Sequence, residues 1–89
     1  MPTPATPSLP LHDLPEDRWA TVVRTVMPIN NRDRELVLRL VELGFVAGER
    51  VRIVAQGHPG REPLAVRIGR TTFALRRHEA SFILVDPTV

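Results

Sequence analysis

The sequence predicts a small, mainly β domain with one inserted α-helix, arranged as a barrel of about five short strands. Three observations carry this prediction. Several short segments alternate apolar and polar residues, and each is bounded by glycine or proline. Only residues 32–43 repeat their apolar residues at helical spacing. The chain has 89 residues, enough for one domain with a thin core. Strands this short protect their edges most simply by closing on themselves.

Residues 1–8 hold Pro, Thr, Ser and Ala without periodicity and read as a disordered leader, leaving 9–89 as the domain. Leu11 and Leu14 are placed to anchor a lead-in segment, and Pro15-Glu16-Asp17 reads as a turn. Trp19 to Val26, rich in Val and Thr, is the first strand, and Pro28 ends it. Asn30 or Asn31 then caps a helix from about Arg32 to Leu43, with Asp33 and Glu35 near its positive end. Leu36, Val37, Leu40, Val41 and Leu43 form its apolar stripe. Glu35 and Arg39 have the spacing of a helical ion pair, worth about 0.3 kcal/mol. Leu38 falls outside the stripe, and Gly44 stops the helix.

After a turn, Arg50 to Gln56 alternates Val51, Ile53 and Ala55 with Arg50 and Arg52, the pattern of a half-buried strand. Gly57 to Pro63 is a loop. Leu64, Val66 and Ile68 mark the next strand, Gly69-Arg70 a two-residue hairpin turn, and Thr71 to Leu75 the returning strand. Arg76 to Ala80 is a short helical turn. Phe82 to Val85 is the closing strand, expected to pair with the first.

Composition excludes several functions. With no cysteine there is no disulfide, thiolate metal site or cysteine nucleophile. No apolar run approaches a membrane span, and the first residues lack the basic start and apolar core of a secretory signal, so a cytoplasmic protein is expected. All twelve basic residues are arginine, which explains a pI near 11 beside a net charge of only +2. That balance argues weakly for nucleic acid. Arg50, Arg52, Arg67, Arg70, Arg76 and Arg77 would make a basic side, but tyrosine is absent, and Phe45, Phe73 and Phe82 are expected in the core rather than stacked on bases. An acidic protein surface suits the same arginines equally well.

Little points to catalysis. No nucleophile-elbow or phosphate-loop motif is present. His12, His58 and His78 lie at no helical chelate spacing. With Glu79 they are only weak surface candidates for a metal, joined through the fold or through a second copy of the chain. A transition metal held there, zinc or iron, is expected to be adventitious, and no cofactor is required. Glu79 is expected to cap the turn or pair with Arg76.

Four segments together resemble the FeoA family, the small component of bacterial ferrous-iron uptake. They are Leu11-x-x-Leu14, Arg39-Leu40-x-Glu42-Leu43-Gly44-Phe45, Gly48-x-x-Val51-x-Ile53, and Ala74-Leu75-Arg76-x-x-Glu79-Ala80-x-x-Ile83-x-Val85. They span most of residues 11–85 in the family's order. Asp17 stands where glycine is common, Ala47 where proline usually precedes Gly48, and the Pro59-Gly60-Arg61-Glu62-Pro63 loop shifts its glycine. The resemblance implies an SH3-like barrel. It also implies a partner, the membrane transporter FeoB with its cytoplasmic G-protein domain, which would bring the protein to the inner membrane. On that expectation Leu38, Gly44, Phe45, Arg76 and Arg77 are the candidate contacts. The alternatives are a small nucleic-acid-binding barrel, and a metal sensor related to the C-terminal domain of iron-dependent repressors. A homodimer is a further candidate assembly.

Overall fold

The computed structural model describes residues 8–88. The leader expected over residues 1–8 thus lies outside the described residues except for Ser8, which is exposed. Six antiparallel strands form one sheet: β1 (Leu9–Pro10), β2 (Trp19–Thr25), β3 (Arg50–Gln56), β4 (Leu64–Ile68), β5 (Thr71–Leu75) and β6 (Ile83–Asp86). Helix α1 (Asn31–Leu43) is inserted after β2, and a single helical turn, α2 (Arg77–Ala80), links β5 to β6.

The strand order is β1-β6-β2-β3-β4-β5. The closing strand pairs with Trp19–Thr25 as expected, at Val22↔Val85 and Thr25↔Ile83. The expected complete closure does not occur: β1 and β5 remain as the two ends of the sheet. A sixth strand also appears. Leu9–Pro10 adds itself to β6 at Leu9↔Val85 and Pro10↔Leu84. Its proline has no N–H to donate, which suits a terminal strand.

One face of the sheet makes the core. Ala20 and Val22, Val51 and Ile53, Leu64 and Val66, Leu75, and Ile83 and Val85 are buried on alternate positions of their strands. Leu11 and Leu14 close one end of it, both essentially inaccessible, with a 3₁₀ turn over Leu11–Asp13 between them. The alternation fails within β3. Ala55 is exposed rather than buried, because the β3–β4 register shifts between Ile53 and Ala55 and turns the last residues of β3 over.

Helix α1 is framed by its caps. The Asn30 side chain accepts from the Asp33 N–H (2.8 Å), and Gly44 takes φ 114°, a left-handed geometry that ends the helix. Val37 and Leu40 are buried, while Leu36 and Leu43 lie partly covered against the core. The Glu35–Arg39 pair is not formed; the described ion pairs are His12–Asp13 and His78–Asp33. For side chains this exposed, holding two long chains in one geometry offsets the small attraction.

Asp17 has φ 66° and donates its N–H to the Ile53 carbonyl (2.7 Å). This left-handed geometry suits the glycine that the family resemblance implies at this position, since a Cβ crowds the following carbonyl. Asp17→Gly is expected to raise stability by about 0.5 kcal/mol, the relief of that crowding exceeding the extra chain freedom of glycine when unfolded. Urea unfolding measures it. A loss of stability would mean that the Asp17 side chain itself holds the turn.

Candidate partner-binding site

Three open hollows run along β5 and α2. The first, about 320 Å³, lies between the end of α1 and the β4–β5 hairpin and is lined by Leu43, Gly44, Val46, Ile68 and Phe73 among others. The second, about 190 Å³, lies between α1 and β5 and shares Leu43 and Phe73 with the first; Leu36, Leu40, Ala74 and Leu75 also line it. The third, about 510 Å³, is formed by His58, Pro59, Glu62, Pro63, Ala74, Arg76 and Glu79. Together they follow the terminal strand of the sheet, whose outer edge has no strand neighbour. Charged residues line all three hollows, Glu49 and Arg70 in the first, Arg39 and Glu79 in the second, and Glu62, Arg76 and Glu79 in the third, while the apolar residues gather at the α1 end.

The sequence candidates do not form one patch. Gly44 lies in the first hollow and Arg76 in the third. Leu38 is 51 % exposed, but at about 100° per residue it faces away from Leu36, Leu40 and Leu43, which line the groove. Phe45 is not a surface residue. It is 0 % exposed, and its ring meets that of Phe73 at 5.9 Å and 58°. Its place after the helix stop drives it inward, and its N–H donates to the Leu40 carbonyl (3.1 Å). Phe45 therefore shapes the groove from beneath. Val46, 39 % exposed, is the large apolar surface residue of that turn, which the sequence pattern did not single out.

The α2 end is held by hydrogen bonds. Glu79 Oε1 accepts from the Arg76 N–H (2.7 Å), so Glu79 caps α2. Glu62 Oε1 accepts from the Arg77 N–H (2.7 Å), tying the β3–β4 loop to the same turn. Arg76 is exposed and Arg77 half-buried.

The three histidines stand apart. His12 sits on the 3₁₀ turn with its Nε2 3.5 Å from Asp13, and His58 lies in the β3–β4 loop. His78 on α2 places Nε2 3.0 Å from Asp33 Oδ1 and its ring edge-on to Phe82 at 5.1 Å. Among the described residues no three His, Asp or Glu side chains converge as a metal would need. The His78 contact instead joins α2 to the first turn of α1. With the Asn30 amide it holds the Asp33 carboxyl below its ordinary value. The contribution of Asp33 is therefore complete above pH 3.8 and fades as the pH falls through the lowered value.

This fold has known counterparts. A zinc-complexed FeoA from Stenotrophomonas maltophilia, described as a procaryotic SH3 domain protein and a candidate ferrous iron transport activating factor, is 46 % identical; the match covers 85 % of this chain and 87 % of that one, with a TM-score of 0.76. The iron(II) transport protein A of Clostridium thermocellum is 30 % identical over 90 % of this chain and 46 % of its own, with a TM-score of 0.74. A manganese-dependent transcriptional repressor shares the fold at 21 % identity, over 96 % of this chain and 44 % of its own, with a TM-score of 0.76. Among curated proteins none is significantly similar to this chain. The FeoA domain model matches residues 9–87, the whole of the sheet and both helices, and the chain belongs to the FeoA family of ferrous iron transport accessory proteins.

Proposed function

We propose that this protein is a non-enzymatic accessory factor that binds the cytoplasmic part of a FeoB-like ferrous-iron transporter through the groove between α1 and β5. The observation that carries this reading is a groove, with apolar residues in its lining, that lies along an unpaired strand edge. Such an edge is a template for another chain, and here Leu36, Leu43 and Phe73 line the hollows beside it. The non-enzymatic part is supported by the carboxylates of the largest hollow. Glu79 and Glu62 each accept a hydrogen bond from a backbone N–H, which assigns them to holding α2 and the β3–β4 loop in place. No cofactor enters the reading. None of the described helices is long and apolar enough to cross a membrane, so contact with the membrane would come through the transporter, on its cytoplasmic side.

The test is recovery of the transporter's cytoplasmic domain on the immobilised full chain, with two substitutions on opposite sides of α1. Val46→Glu, at the groove mouth, is expected to lower recovery at least tenfold. Leu38→Glu, on the far side, is expected to leave it within twofold. Loss only with Leu38→Glu would move the contact to that face. No recovery by the unsubstituted chain, together with normal iron uptake after gene deletion, would reject the reading.

A further inference from the structure

The outer face of the sheet carries a row of side chains set by strand register. Trp19 on β2 is opposite Arg52 on β3, Arg52 is opposite Arg67 on β4, and Arg67 is opposite Thr72 on β5. Arg50, two residues before Arg52, points out of the same face. The Arg50 and Arg52 guanidinium groups lie over the Trp19 ring, 5.8 and 5.1 Å from its centroid. Trp19 itself is 38 % exposed.

The charge on this row is uncompensated. No arginine among the described residues has a carboxylate within 4.0 Å. Arg52 and Arg67 are like charges directly opposite each other, an arrangement that repels. Arg52 Nε is buried without a hydrogen-bond partner. Arg67 Nε donates to the Gly69 carbonyl (3.3 Å), which steadies its guanidinium group. An anion between the two forks turns the repulsion into attraction, and planar forks fit carboxylates in pairs.

We infer that the Trp19–Arg52–Arg67 row is a second docking surface, and that its occupant is a carboxylate-rich segment of a partner protein. Adjacent strands are about 4.8 Å apart and alternate residues of one strand about 7 Å apart. Arg50 and Arg52 therefore match the spacing of same-side acidic residues on an extended segment, and Arg67, directly across from Arg52, brings a second fork to the same carboxylate. Nucleic acid fits less well. Single strands bind by stacking successive bases on aromatic rings, but this face has one aromatic ring, and two guanidinium groups lie over it. This surface is separate from the α1–β5 groove and does not depend on it.

Trp19 is the only tryptophan, so its fluorescence reports on this face alone. The experiment titrates the full chain with an octaglutamate peptide, an octaglutamine peptide and an eight-nucleotide oligo-dT at low salt. Octaglutamate is expected to change Trp19 fluorescence saturably, with affinity falling at least tenfold between 50 and 300 mM salt, on the order of the loss when several ion pairs are screened. Octaglutamine is expected to give no change. Arg52→Gln and Arg67→Gln should each weaken octaglutamate at least fivefold, while Arg32→Gln on α1 leaves it unchanged. No saturable change, equal weakening by Arg32→Gln, or tighter binding of oligo-dT than of octaglutamate would each overturn the inference. Arg67 is exposed, so Arg67→Gln remains informative if Arg52→Gln fails to fold.

Discussion

Replacing Phe45 with alanine is expected to cost about 3–5 kcal/mol, the range for removing a fully buried phenylalanine. Phe45 is the largest wholly buried side chain. It packs on Phe73 across the groove floor and sits one residue after the left-handed Gly44, where the chain leaves α1 for the sheet. The cavity cannot be refilled cheaply, because the core that Phe45 belongs to is built of branched aliphatics fixed by strand register, including Val51, Ile53 and Val66. Small domains hold about 5–15 kcal/mol in total, and one of this size belongs near the lower end. The substitution should lower the urea midpoint by at least about 2 M at a slope of 1–1.5 kcal/mol per molar. Leu38→Ala, removing an exposed side chain of similar apolar character, should change stability by no more than about 0.5 kcal/mol. Equal effects would mean that Phe45 does not fill the core.

Much of this fold is legible in the sequence because its strands are half-buried and cleanly punctuated. β3, β4 and β5 begin and end where alternation meets Gly57, Pro63 and the Gly69-Arg70 turn. Asn30 and Gly44 mark α1 because capping chemistry is local. β1 is not legible. Two residues cannot show a period, and Leu9–Pro10 is a strand only because β6 is beside it. β6 is displaced by one residue, running to Asp86, a buried carboxylate held by the Thr88 N–H and hydroxyl. The outward turn of Ala55 follows from a bulge, which a strict period of two cannot show.

The site is less legible for the same kind of reason. Gly44 and Phe45 are neighbours in sequence, yet one lines a groove and the other lies wholly beneath it. Leu38 stands out in sequence because it breaks the apolar stripe, but helical geometry turns it from the groove. Val46 and Phe73 come together only when the β4–β5 hairpin folds back toward the end of α1. The Trp19–Arg52–Arg67 row depends on the registers of two strand pairings, so no single segment displays it. Glu79 was readable as a cap because its partner is three residues away. Glu62 was not, since the Arg77 N–H is fifteen residues distant.

That distant link makes Gly57 the second position of large expected effect. Gly57 donates its N–H to the Pro63 carbonyl (3.0 Å), closing the β3–β4 loop at its base. A Cβ at Gly57 would overlap the Glu62 carbonyl, which is backbone and cannot rotate away. Strand pairing at Gln56↔Leu64 fixes both sides of the base, so Gly57→Ala must open the loop. Opening moves Glu62 and breaks its hydrogen bond to the Arg77 N–H, leaving the first turn of α2 less well held. Overpacking and a lost charge-assisted hydrogen bond together give an expected cost of about 2–4 kcal/mol. Gly60→Ala is the control in the same loop. Its Cβ would meet nothing within 4 Å, so only the left-handed backbone, φ 79°, opposes it, at about 1 kcal/mol. Urea unfolding should rank Gly57→Ala well above Gly60→Ala, and amide exchange at Arg77 should quicken only in Gly57→Ala. If both substitutions cost the same and Arg77 stays equally protected, the loop is not clamped at Gly57, and Glu62 does not carry its position to α2.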